Sequence, residues 1–151
     1  MIIKTANIND AKPIWELQRL SYQSEGKRYN DFTLPPLIQT FEEIQKDFEE
    51  QTVLKAVIDE KIIGSVRAHM EDGTCFVGRL IVHPECQNQG IGILLMNSVE
   101  DKFKDAERFE LFTGHKTGGA LHIYRKLDYR EFERKELSTH TLVFLEKVNK
   151  K

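Results

Sequence analysis

The segment from Arg79 to Gly92 constrains the fold most, because it passes from an apolar strand through a turn into a helix. A helix start leaves several backbone N–H groups without partners and carries the positive end of the helix dipole. Gly90 and Gly92 would let a bulky anion approach these N–H groups closely. The segment therefore predicts an anion site, although a lone pair of glycines would equally suit close packing at the junction.

Hydrophobic periodicity in the rest of the chain predicts strands and helices around one core. Thr40 and Glu43 have the spacing of a capping box, and Asp72-Gly73 is typical of a hairpin turn. The polar segment 24–39 lacks regular spacing and is predicted to be a long, irregular connection. Strands are predicted at 2–6, 53–58, 62–71, 74–82, 109–113, 131–136 and 141–147, and helices at 13–20, 41–50, 90–103 and 120–127. The helix from Gly90 is predicted to turn inward Ile91, Leu94, Leu95, Val99 and Phe103.

Composition and charge limit the classes of function. With 40% hydrophobic and 30% charged residues, the chain is typical of a globular protein, and its 151 residues suit a single domain over 1–151. A net charge of −2 disfavours nucleic acid as a partner. No stretch has the length of a membrane span and the start lacks a signal-peptide pattern, so we expect a cytoplasmic protein without membrane partners. Cys75 and Cys86 and the five scattered histidines lack metal-ligand spacing, so no metal is predicted.

Two segments resemble one known family. Gln87 to Gly92 resembles the signature Gln/Arg-x-x-Gly-x-Gly/Ala of the GNAT acetyltransferase superfamily, and it follows a family-like Leu-x-Val-His-Pro-Glu at Leu80 to Glu85. Ala120 to Tyr129 is similar to the family's Ala-x-x-Tyr-x-x-x-Gly-Phe, with Asp128 where Gly is common; Asp tolerates the left-handed conformation expected there. The resemblance covers most of the chain. It implies an α/β (α+β) fold, a mixed, mostly antiparallel sheet of about six to seven strands flanked by about four helices.

The resemblance also implies a ligand and a reaction. Acetyl-coenzyme A would be the co-substrate, and its acetyl group would pass directly to a primary amine of a small molecule or peptide. The coenzyme would lie where strands 74–82 and 109–113 splay apart, and Tyr124 matches the family tyrosine that acts as general acid on the coenzyme sulfur. The positions that match the family's coenzyme-binding residues are Leu80, Ile81, Val82, Gln87, Asn88, Gln89, Gly90, Ile91 and Gly92.

The general base is not given by the motif. Many family members have a carboxylate near the position of Gly78, which here fits a bulged strand that frees backbone donors for the thioester carbonyl. Strand parity places Arg67, His69 and Glu71 on one face of strand 62–71. His69 and Glu71 are therefore hypothetical bases, which would act directly or through a water molecule. The polar face of a solvent-exposed strand would show the same pattern.

The acceptor stays open at this point. Glu25, Asp31, Glu42 and Glu43 lie in the segment that forms the family's acceptor wall, and they favour a cationic amine. Polyamines, aminoglycosides, amino acids and protein amines all fit. The alternative function is a non-catalytic acyl-coenzyme A-binding or regulatory module of the same fold. The protein would be a monomer or a homodimer, with 142–145 as a candidate dimer surface.

Overall fold

The computed structural model describes residues 1–116 and 118–150, which form a seven-stranded sheet with helices on both faces. The strand order is β1-β2-β3-β4-β5-β7-β6, and each neighbouring pair is antiparallel except the parallel pair of β4 and β5. This confirms the predicted mixed, mostly antiparallel sheet. The strands are β1 (Ile2–Thr5), β2 (Thr52–Ile58), β3 (Lys61–Glu71), β4 (Thr74–Val82), β5 (Arg108–Gly114), β6 (Arg130–Glu136) and β7 (Thr141–Val148).

The helices match the predicted number once the short ones are set apart. The four long helices are α1 (Ala11–Ser21), α4 (Phe41–Glu50), α5 (Ile91–Lys102) and α6 (Gly118–Lys126), and the short ones are α2 (Gln23–Tyr29) and α3 (Pro35–Ile38). Single 3₁₀ turns lie at Ile8–Asp10 and Pro84–Cys86. No helix in the described ranges is long and apolar enough to cross a membrane.

The prediction of an irregular connection over 24–39 was wrong, because most of this segment is helical. Residues 24–29 belong to α2, and residues 35–38 form α3. Only Gly26 and Tyr29 of α2 are buried, so the helix has no apolar stripe that periodicity could detect. Asn30 ends α2 in the left-handed conformation, with φ 49°. Pro35 suits the first turn of α3, where its missing N–H costs nothing.

The sheet separates two apolar cores. Helices α1 and α4 cover one face, with Ala11, Ile14, Ile44 and Val53 buried between them and the sheet. The other face packs mainly against α5 and α6, and its core includes Val66, Ala68, Leu95, Met96, Val99 and Tyr124. The capping box of Thr40 and Glu43 that starts α4 is present as predicted.

The inward face of α5 differs from the prediction at one position. Leu95 and Val99 are fully buried as expected, but the Leu94 side chain is 44% exposed and Met96 takes its place in the core. With 3.6 residues per turn, positions 91, 92, 95, 96 and 99 lie on one side of the helix, and these are its buried residues. Leu94 lies at the edge of this side. Phe103 lies just beyond the helix as its C-cap and is partly buried.

Candidate functional site

Strands β4 and β5 pair over only part of their length. The pairing joins Thr74–Phe76 to Arg108–Glu110 and then stops. Residues 77–82 of β4 and 111–114 of β5 therefore diverge, and we call the space between them the notch. The predicted splaying of these two strands is confirmed.

A bulge in β4 borders the notch. Ser65 of β3 lies opposite Ile81 and Arg67 lies opposite Gly78, so one residue of β3 faces two residues of β4, Arg79 and Leu80. Arg79 has a φ of 52°, in the left-handed region. The bulge next to Gly78 is as predicted, but the residue with the unusual conformation is Arg79. Such bulges leave backbone groups of the ladder unpaired and re-aim the adjacent side chains.

The start of α5 lies directly beyond the end of β4. Gly90 is its N-cap, with a φ of 78°, and a methyl group placed there would meet no atom of the described chain within 4 Å. The first-turn N–H groups thus lie at an open helix end without an N-cap side chain. Gly92 serves another purpose, because a methyl group there would come within 3.1 Å of Ile123 Cδ1 on α6. Gly90 opens the helix end, whereas Gly92 permits the close packing of α5 and α6.

The predicted coenzyme residues come together around the notch. Leu80, Ile81 and Val82 form the end of β4 beside it. The turn 87–90 is exposed, and Asn88 adopts a left-handed conformation with a φ of 64°. Ile91 is 4% exposed and packs in the core, so only its backbone is free to meet a ligand. Gln87 Nε2 donates to the Val82 carbonyl at 3.4 Å, which ties the turn to the strand.

The predicted general acid, Tyr124, lies on α6 with 6% of its surface exposed. Burial raises the pKa of its phenol, and the neighbouring Tyr22 raises it further. Burial also raises the pKa of Tyr22, against the opposing charge of Arg79. Tyr22 is therefore near both Tyr124 and Arg79, which places the start of the bulge and α6 in the same region of the molecule. Tyr22 follows α1 in an aromatic, polar stretch, and no motif in the sequence marks it.

The hypothetical bases lie elsewhere on the sheet. His69 is opposite Phe76, and Glu71 is opposite Thr74, where β4 is still paired with β5. Phe76 is about 16 Å along the strand from Ile81. The His69 ring stacks on Phe76 at 5.4 Å, and its Nε2 lies 3.8 Å from Glu71 Oε2. His69 and Glu71 are close to each other, but the structure does not bring them to Tyr124.

Strand parity predicted Arg67 on the same face of β3 as His69 and Glu71, and in the structure α1 covers this face at Arg67. Its guanidinium is 3% exposed and donates to Asp47 of α4 and to Gln18 of α1. Gln18 Nε2 in turn donates to the Pro36 carbonyl at 3.0 Å. Burial, and then the charge of Arg79, lowers the pKa of Arg67 to about 10. This buried network fixes α1, α3 and α4 to the sheet beside the bulge.

The acidic residues expected to attract a cationic acceptor have other partners. Glu25 forms a 2.7 Å ion pair with Arg28, and Glu43 is used in the capping box of α4. Asp31 accepts hydrogen bonds from Thr33 and Thr139. These contacts remove most of the support for a cationic acceptor.

The cysteines and the candidate dimer surface have structural explanations. Cys75 is fully buried, and burial raises its pKa to about 12, so it is a poor nucleophile. Cys86 is in the 3₁₀ turn before α5. No group of three or more metal-binding side chains occurs among residues 1–116 and 118–150. Val143 and Leu145 are fully buried in the protein's own core, so they are not available for a dimer surface.

Comparison with known proteins gives the family and the fold. Residues 11–129 match the model of the acetyltransferase (GNAT) family. The UPF0157 protein YqkA of Bacillus subtilis (strain 168) is 26% identical over 123 residues, which are 82% of this chain; the chain spans 35% of that protein's length.

Two crystal structures at lower identity share the fold. The PaiA N-acetyltransferase of Thermoplasma acidophilum in complex with coenzyme A is 17% identical, with a TM-score of 0.81 over 98% of this chain and 99% of that one. The ribosomal-protein-S18-alanine N-acetyltransferase of Escherichia coli is 11% identical, with a TM-score of 0.83 over 98% and 93%. Because the family model spans most of its length, the chain belongs to the acetyltransferase (GNAT) family.

Proposed function

We propose that the protein is an N-acetyltransferase that moves an acetyl group directly from acetyl-coenzyme A to a primary amine. The observation that carries this proposal is the notch, because the bulged end of β4 and the open start of α5 meet at the same place. Two relatives in fold are named as N-acetyltransferases, and one of them was crystallised with coenzyme A. Bound acetyl-coenzyme A would supply the acetyl group as a thioester.

The residues around the notch fit this co-substrate in two ways. The N–H groups at the start of α5, next to Gly90, suit the negative charge of a pyrophosphate. The edge of β4 over 77–82 is unpaired on its β5 side, so its backbone is free to hydrogen-bond an extended amide chain such as the pantetheine arm. The proposed binding residues remain Leu80, Ile81, Val82, Gln87, Asn88, Gln89, Gly90, Ile91 and Gly92.

Tyr124 is the proposed general acid. Its raised pKa keeps the phenol protonated at neutral pH, so it can donate a proton to a departing thiolate. Backbone N–H groups freed by the bulge at Arg79 and Leu80 would polarise the thioester carbonyl. Their geometry is set by the fold before any substrate binds.

His69 and Glu71 lie along the paired half of β4, so either could act as a base only through water, and the proposal requires neither. The simpler expectation is that the amine binds in its neutral form. A cytoplasmic location is also part of the proposal, since Cys75 and Cys86 are both unpaired thiols, as in a reducing compartment. We further propose that 1–151 acts as one catalytic unit, because strands from both ends join the same sheet.

The test has two stages. Calorimetric titration with acetyl-coenzyme A should show one saturable site, and a panel of primary amines should then produce free thiol. Binding without thiol release for any amine would favour the non-catalytic acyl-coenzyme A-binding or regulatory module. No binding at all would contradict the assignment of the notch.

A further inference from the structure

Three buried hydrogen-bond donors surround the bulge without acceptors. They are Ser65 Oγ, Arg67 Nε and Arg79 Nε, and we call them the donor cluster. Ser65 is 1% exposed and Arg67 is 3% exposed. Buried polar groups in proteins almost always have partners, so three orphan donors in one place require an explanation.

Strand register places these three side chains together. Ser65 and Arg67 project from β3 toward α1, because Val66 between them packs in the α5 core. Their partners on β4 are Ile81 and Gly78, and Arg79 lies in the bulge between these two. The charge of Arg79 is close enough to Arg67 to lower its pKa.

The cluster lacks acceptors because the nearby carboxylates are occupied. Asp47 already accepts from Arg67 and, at 2.6 Å, from Gln39 Nε2. Glu25 is paired with Arg28 at 2.7 Å. The guanidinium groups of Arg67 and Arg79 lie close together in this region, and hydrogen bonds to Asp47 come from Arg67 and Gln39.

The position of the cluster separates it from the proposed pyrophosphate site. The donor cluster faces α1, whereas α5 packs on the opposite face of the sheet. It lies beside the bulge that is proposed to polarise the thioester. A ligand that binds the donor cluster would approach the thioester from the α1 face of the sheet. The acceptor amine is the substrate that must reach the thioester, so we consider it as this ligand.

We propose that the acceptor is a small amine that carries a carboxylate, as an amino acid does, and that Arg79, Arg67 Nε and Ser65 Oγ bind this carboxylate. The inference rests on the proposed N-acetyltransferase function. A carboxylate supplies the acceptor oxygens that the three donors lack and neutralises the second guanidinium. Polycationic acceptors would be repelled by the same charges.

The test compares amino acids with their own carboxamides. Each pair differs only in the carboxylate, and rates are compared at equal concentrations of the neutral amine. For the preferred acceptor we expect kcat/KM to be roughly 30-fold higher for the acid than for the amide, the effect of a charge-assisted hydrogen bond. Arg79→Gln should reduce this ratio to about threefold or less, because the carboxylate of the acid then loses its charged partner and the amide has none to lose.

Two further variants and a binding measurement complete the test. Ser65→Ala removes one hydroxyl and should lower kcat/KM for the acid several-fold. Arg134→Gln, a control at an exposed arginine of β6 that pairs with Glu131, should leave the ratio unchanged. Calorimetry in the presence of coenzyme A should show weaker binding of the acid to Arg79→Gln than to the wild type.

The outcomes separate this inference from the proposed function. Thiol release at equal rates for acids and amides would overturn the carboxylate site and leave the transferase intact. Preference for a phosphorylated amine such as phosphoethanolamine over every carboxylate would also overturn it. Absence of thiol release with every amine would overturn the transferase. The carboxylate site would then be decided by calorimetry alone: weaker binding of an amino acid to Arg79→Gln than to wild type would support it, and equal binding would overturn it.

Discussion

The Tyr29 hydroxyl accepts a hydrogen bond from the Lys116 backbone N–H at 2.8 Å. Tyr29 ends α2, and Lys116 follows β5, on the far side of the notch from α1. The Tyr29 ring also packs near His115 and His140, with centroid distances of 5.8 and 4.7 Å. Helix α2 therefore connects the two sides of the notch.

Tyr29→Phe should loosen this connection, because it leaves the Lys116 N–H without its acceptor. We expect a loss of about 1 kcal/mol in the free energy of unfolding, measured with denaturant. Hydrogen exchange should accelerate at the Lys116 amide and stay slow at the amide of Leu111 inside β5. Unchanged exchange at Lys116 would mean that α2 is held without this bond.

Tyr124→Phe should separate catalysis from binding. If the phenol protonates the thiolate, kcat should fall about 100-fold, while the Kd for acetyl-coenzyme A stays within about twofold. Tyr129→Phe is the matched control on the adjacent ring; it loses a 3.1 Å hydrogen bond to Glu100 and some stability, but it should keep kcat. Equal kcat values for wild type and Tyr124→Phe would remove the general-acid role.

The pH dependence follows from the positions of the titrating groups. Burial raises the pKa of Tyr124 above its usual 10.0, so the phenol stays protonated as pH rises through neutrality and causes no alkaline loss there. The rate should instead rise with pH as the amine deprotonates, and this limb should move with the pKa of the amine. His69→Gln and Glu71→Gln should leave the limb within about 0.3 pH units. A shift with either variant would restore that residue as a base.

Gly90→Ala tests the open start of α5. Its φ of 78° disfavours a side chain, so we expect a loss of roughly 1 kcal/mol in stability and weaker binding of acetyl-coenzyme A in calorimetry. Gly119→Ala, on α6 with open space around it, should stabilise the protein by up to about 1 kcal/mol. Similar effects from both substitutions would argue against a special role for the Gly90 backbone.

Local signals predicted the elements that depend on neighbouring residues. The capping box of Thr40, the hairpin at Asp72-Gly73 and the left-handed Asp128, with a φ of 71°, are all present. Each needs only a few consecutive residues to form. The notch was predicted from the family resemblance. The resemblance implies which strands are neighbours in the sheet and that two of them splay apart.

Contacts between distant residues could not be predicted in this way. Helix α2 depends on Tyr29, whose partner Lys116 is far along the chain. The donor cluster depends on a register shift that sets Arg79 between Ile81 and Gly78, opposite β3. Strand parity predicted the face of Arg67 correctly. It could not predict that a bulge in the neighbouring strand brings Arg79 close to Arg67.

The divergence of β4 and β5 also gives the sheet two inner strand edges besides those of β1 and β6. The β6 edge is protected, because all of Arg130–Glu136 is exposed and most of it is charged. The inner edge of β4 is apolar over Val77 and 80–82, and such an edge can recruit a strand from another chain. A ligand lying along β4 would cover this edge, so we expect resistance to aggregation on storage and heating to follow saturation with the ligand.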